Sequence, residues 1–165
     1  MNRRDVIAHE IVYPYRIDAV WDALTDQEQL AAWLMENDFT DGVGSRFSFY
    51  DHEPWADGTT YDIVCEVLIF DPPHRLAYSW ESPPKLGRTL VEWELIEVPT
   101  GTRVQLTHSG FAKYGDAGRE AVDMLGEGWG GLLRQELAEH LKNVCTPIAT
   151  SSSAQDYPQD QEDSG

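Results

Sequence analysis

Four groups of residues in this sequence have types and spacings that could do chemistry. Gly126, Gly128 and Gly131 fit G-x-G-x-x-G, the spacing of a dinucleotide-binding loop, and LLRQELAEHL follows them at once. His108 and Ser109 stand side by side in THSG, the residue types of a base and a nucleophile. Asp51, His52 and Glu53 set a histidine between two acids. Glu66 interrupts the apolar run IVCEVLI, where an inward carboxyl would resist ionisation and become a general acid or base.

The surroundings weaken each of these readings. A dinucleotide loop needs a strand before the glycines and a helix after them, so that helix N–H groups face the pyrophosphate. Here DAGREAVDML precedes the glycines and reads as helix, Glu127 would repel phosphate, and no further βαβ strand follows. The glycines fit a steric role better: they thin the backbone where the long helix begins, with Trp129 reaching inward and space left at a cavity mouth beside it. Neighbouring residues on a strand point to opposite faces, so His108 and Ser109 form no local dyad. His108 shares its face with Val104 and Leu106, which predicts a hydrogen-bonded core histidine. The five histidines are scattered, and neighbours in a loop are a poor ligand set, so no metal and no other cofactor is expected. Ile63, Cys65, Val67 and Ile69 make the more apolar face of their strand, which turns Glu66 outward; Glu81, Glu92 and Glu94 are expected to face solvent as well. A nucleophile elbow of the G-x-S-x-G type is absent.

The elements that must position these residues follow from periodicity. DVIAHEIVY reads as a strand ended by Pro14. Asp18 is a candidate N-cap for a first short helix carrying Val20, Trp21 and Leu24, and Thr25 or Asp26 caps a second one through Leu30 and Trp33. Turn-forming Gly, Pro and Asp clusters then separate period-2 segments. Phe47 and Phe49 share a face, as do Leu76, Tyr78 and Trp80; Val91, Trp93 and Leu95; and Val104, Leu106 and His108. About six antiparallel strands with no helix between them exclude a parallel doubly wound sheet. Trp129, Leu133, Leu137 and Leu141, four apart, mark one long C-terminal helix. The fold class is therefore α+β, with a curved antiparallel sheet wrapped around that helix. Residues 1–145 form one domain, and 146–165 form a polar acidic tail expected to be disordered.

The 165 residues are 41% hydrophobic, enough for a real core. Net charge is −17, and the tail accounts for only Asp156, Asp160, Glu162 and Asp163. A body so acidic disfavours nucleic acid and anionic membrane surfaces, both of which need a cationic face. No apolar run reaches membrane-spanning length, and MNRRDVIAHEI lacks the apolar core of a signal peptide. Cys65 and Cys145 follow no metal or redox spacing and read as reduced thiols. These features predict a cytoplasmic protein.

Several stretches then resemble a known family: IDAVWDALTDQEQLAAWL, NDFTDGVGSRFSFY, CEVLIFDPPHRLAYSW, VEWELIEVPTGTRVQLTHSGF, and the GW of GEGWGGLL. In this order, from about Ile7 to Leu141, they are similar to the homologues of the heat-shock-protein ATPase activator, within the START-like (SRPBCC) superfamily. The resemblance implies the helix-grip fold, in which six or seven antiparallel strands grip a long C-terminal helix. It also implies a cavity between them that superfamily members use for apolar molecules, and in some cases for cyclisation or hydrolysis. The leading expectation is a protein that binds a small hydrophobic or aromatic molecule, whether lipid, polyketide or flavonoid-like. Trp33, Phe47, Phe49, Tyr78, Trp80, Trp93, His108, Trp129 and Leu133 would line the pocket. Two alternatives stay open: a chaperone partner in a stress response, and an enzyme pairing His108 with an inward carboxylate. A homodimer is also left open.

Overall fold

A computed structural model describes residues 6–51, 54, 58–60, 62–81 and 86–148. His52, Glu53, Trp55, Tyr61 and the tail from 149 onward lie outside the described residues.

Seven strands form one antiparallel sheet: β1 (Val6–Tyr13), β2 (Glu36–Asn37), β3 (Arg46–Tyr50), β4 (Asp62–Asp71), β5 (Arg75–Glu81), β6 (Arg88–Val98) and β7 (Gly101–Ser109). Their spatial order is β1-β7-β6-β5-β4-β3-β2. Only the β1–β7 pairing is not a connection between sequence neighbours, and the chain between β1 and β2 carries α1 (Ile17–Thr25) and α2 (Gln27–Trp33). The period-2 segments face as their spacing predicts. Phe47 and Phe49, Leu76, Tyr78 and Trp80, Val91, Trp93 and Leu95, and Val104, Leu106 and His108 are all buried on the concave side. In register, Leu76 sits opposite Trp93 and Trp93 opposite Leu106, so large side chains form rows across the sheet.

Three local details differ from the expectation. The helix α1 starts at Ile17, so Asp18 lies in its first turn rather than at its cap; Asp26 does cap α2, accepting from the Gln29 N–H at 3.0 Å. A bulge between Val67 and Ile69 reverses the alternation in β4. Beyond it Phe70 turns inward, packing edge-on to Trp21 with centroids 5.6 Å apart, and Ile69 pairs with Ala77. Finally, the C-terminal helix does not begin at the glycines. It runs from α3 (Gly115–Gly131) through a π-helical stretch (Leu132–Leu137) into α4 (Ala138–Val144). The sequence GEGWGG thus lies inside a helix. Its glycines read locally as a break because each costs a helix interior about 1 kcal/mol relative to alanine.

The cost is met by packing at some of these positions. On β1, His9 Nε2 donates to the Gly126 carbonyl at 2.9 Å, and a Cβ on Gly130 would stand 3.2 Å from the His9 ring. At Gly130 strand and helix approach closely because a side chain is missing there. The stripe Trp129, Leu133, Leu137 and Leu141 is buried against the sheet, as its spacing predicts. At its centre the Tyr13 hydroxyl donates to the Leu133 carbonyl at 2.7 Å, inside the π-helical stretch. A side chain entering the ladder in this way is a known cause of helix distortion.

Substitutions separate the steric glycines from the others. A Cβ at Gly118 would press into the Phe111 carbonyl, whereas at Gly128 it would meet nothing within 4 Å. Thermal unfolding should show Gly118→Ala destabilised by about 2 kcal/mol and Gly128→Ala stabilised by about 1 kcal/mol.

Candidate functional site

Trp129 enters the concave face of the sheet from α3. Its ring lies 5.5 Å from Trp80, 5.7 Å from Trp93 and 6.3 Å from His108. The hydrogen bonds around it fix one arrangement of protons. The Trp129 indole N–H donates to His108 Nδ1 at 3.1 Å, so Nδ1 carries no proton. In the neutral ring the proton therefore sits on Nε2, which donates to Thr89 Oγ1 at 2.8 Å; Thr89 in turn donates to the Trp80 carbonyl at 2.9 Å. Helix, β7, β6 and β5 are joined by one chain of bonds with every polar atom used.

His108 is fully buried, and that burial pushes its pKa down to about 3. Protonation would also set an N–H against the Trp129 N–H. The expectation of a core histidine held by hydrogen bonds describes this residue. It does not describe half of an acid/base pair with Glu66, which lies on the other face of the sheet beside Arg88 (3.2 Å) and Arg46 (3.8 Å).

The other residues expected to line a pocket divide into two sets. Phe47 packs on Phe49 and Tyr78, each with centroids 5.3 Å away. Trp33 stands edge-on to Trp93 at 6.3 Å and donates to the Ala23 carbonyl at 2.8 Å. Trp93 Nε1 donates to the Tyr78 hydroxyl at 3.0 Å, and Leu133 is buried beneath the helix. These side chains fill the space between sheet and helix with one another. Trp80 and Trp129 form the edge of that filled region, and beyond them lies an apolar cleft of about 110 Å³.

Leu34 and Met35 line the cleft from the chain after α2, Asp51 and Ile63 from the sheet side, and Leu125, Gly128 and Leu132 from the helix. Leu125 and Leu132 were not among the residues expected to line a pocket, although their spacing of seven, with Gly128 between them, was a usable signal once the helix is taken back to Gly115. Gly128 is an exposed part of the helix wall of the cleft, and with no side chain it leaves open space on the side of Trp129 where the glycines were expected to leave it.

The remaining groups do not assemble into chemistry. Among the described residues, no three of His, Cys, Asp and Glu are placed to hold a metal, and no helix is long and apolar enough to cross a membrane. Asp51 reaches the cleft, while His52 and Glu53 lie outside the described residues. Cys65 is buried and its thiol pKa is pushed well up, chiefly by desolvation, which makes it a poor nucleophile.

The description "Activator of Hsp90 ATPase homolog 1-like protein" belongs to the family model that matches residues 14–142. No curated protein matches the chain. Among solved structures, a Mesorhizobium loti protein is 27% identical with a TM-score of 0.70, covering 86% of this chain and 99% of its own. A Bacillus halodurans protein is 25% identical with a TM-score of 0.68, covering 85% and 99%. DynU16, from the dynemicin biosynthetic locus, shares the fold at 23% identity and a TM-score of 0.68; 86% of this chain matches 48% of that one.

Because the unfolded histidine takes up a proton near pH 6.5 and the folded one only near pH 3, acid favours unfolding across that window. The stabilisation from neutral His108 is complete above the window and is lost as pH falls through it. Urea unfolding at stepped pH should show a shallower slope in this window for His108→Gln than for the parent.

Proposed function

The chain belongs to the Activator of Hsp90 ATPase homolog 1-like family, and on that premise we propose that it binds a small hydrophobic molecule in the cleft beside Trp80 and Trp129. The observation that carries the reading is the apolar gap itself, bordered by Gly128 within a helix. Packing accounts for glycine at 130, where β1 comes close. At 128 there is open space instead, so the helix bears about 1 kcal/mol there with no contact in return. Gly131 meets open space too but does not line the cleft, whereas the open space at Gly128 belongs to the cleft.

The size of the cleft restricts the guest. About 110 Å³ holds one ring or the end of an alkyl chain, with the remainder of the molecule outside. Burying such a group against two tryptophans and five aliphatic or thioether side chains supplies the affinity, at about 25 cal/mol per Å² of apolar surface. His108 does not touch the guest. It holds the Trp129 ring in place through Nδ1, and so shapes the wall.

Intrinsic tryptophan fluorescence reports on Trp80 and Trp129 directly. Titration with aryl and short alkyl compounds should change the emission in a saturable way. Gly128→Leu should weaken binding by about tenfold by filling that open space, with thermal stability preserved. Equal affinity in the parent and in a folded Gly128→Leu variant would place the guest elsewhere and end this reading.

A further inference from the structure

We propose that Asn37, with Gln27 beside it, is a positioning residue of the cleft: it holds the Leu34–Met35 wall at a width that admits one ring and excludes a fused second ring. This rests on the binding reading above and names what sets the size of the guest at the same site. The helix wall of the cleft, from Leu125 to Leu132, is fixed through Trp129 and its bond to His108. The facing wall is made by Leu34 and Met35, half-buried residues just beyond α2. Methionine adapts readily to its surroundings, and apolar contact alone gives such a segment no single position.

The polar side chains that follow supply that position. Asn37 Nδ2 donates to the Met35 carbonyl at 3.0 Å and to the Gln27 carbonyl at 3.1 Å, and Asn37 Oδ1 accepts from the Phe39 N–H at 2.9 Å. One amide thus closes the turn after Met35 and ties it to the first residue of α2. Gln27 Nε2 returns a bond to the Phe39 carbonyl at 2.7 Å. The Met35 N–H donates to the Leu30 carbonyl at 3.0 Å, so the peptide groups on both sides of Met35 are held. Phe39 itself is buried, edge-on to Phe47 with centroids 4.8 Å apart, which roots the turn in the core. The residue type matters because a carboxamide carries two donors and an acceptor on one short side chain. Aspartate would keep the acceptor and set a negative oxygen against two carbonyls. A guest too wide for a cleft of about 110 Å³ must therefore break this turn to enter.

Two uncharged probes, 3-phenyl-1-propanol and 3-(2-naphthyl)-1-propanol, test this by calorimetric titration into the full chain. In the parent the naphthyl probe should bind no more tightly than the phenyl probe, despite its larger apolar surface. Asn37→Asp should shift the ratio towards the naphthyl probe by about fivefold, because the second ring is then buried. Gln27→Ala should shift it the same way by about twofold. A purely structural role would weaken both probes together and leave their ratio alone. A naphthyl probe that already binds the parent several-fold more tightly, or a ratio unchanged in folded Asn37→Asp, overturns the assignment while the cleft stands. Should Asn37→Asp not fold, Gln27→Ala decides at an exposed position, and an unchanged ratio there overturns the assignment too. If neither probe binds the parent, the binding reading falls and takes this one with it.

Discussion

The seating of Trp129 on the sheet is the constraint from which the rest of this architecture follows. A lone indole N–H buried in a core would cost a lost hydrogen bond, and the nearest acceptor on the concave face is His108 Nδ1. Accepting there fixes the imidazole tautomer, the tautomer fixes Thr89 as acceptor and then donor, and the chain ends on a backbone carbonyl of β5. A buried relay of this kind admits one relative placement of helix and sheet, where hydrophobic packing alone would tolerate several. The cleft wall inherits that precision.

Along β1 the helix is held at two further points, both by the same device. His9 bonds the Gly126 carbonyl at the N-terminal side of Trp129, and Tyr13 bonds the Leu133 carbonyl on the other side. Both donors lie on β1, and both acceptors are main-chain oxygens of the helix. The β1 edge of the sheet therefore clamps the helix backbone, while Trp129 and the leucine stripe engage the centre. On the far side, against β3 and β4, no such clamp reaches the helix from the described strands, and that is where the gap lies.

The sheet was legible because alternation records burial directly: the four paired sets from Phe47 to His108 faced inward as spaced. So was the stripe from Trp129 to Leu141. The failures share one cause, dependence on a partner distant in sequence. The bulge in β4 shows only in its register with β5, and without it Ile69 reads as inward. The helical state of GEGWGG depends on packing against His9, more than 100 residues earlier in the chain. The cleft combined both problems. Of the aromatics named for a pocket, Trp80 and Trp129 stand on the cleft, while most of the others satisfy one another. Empty space is bounded by what is small, and composition favours what is large.

Gly128 has a consequence for how such a protein diversifies. A Cβ added at Gly128 meets nothing within 4 Å, so the volume next to Trp129 can change in a single mutational step there without disturbing the hydrogen-bonded frame. Alanine, valine or a longer residue there would give a graded series of shallower sites, each on a helix more stable than the glycine one. Cleft volume and fold stability, commonly opposed in one residue, are separable here. A lineage could retune the first while keeping the second in reserve.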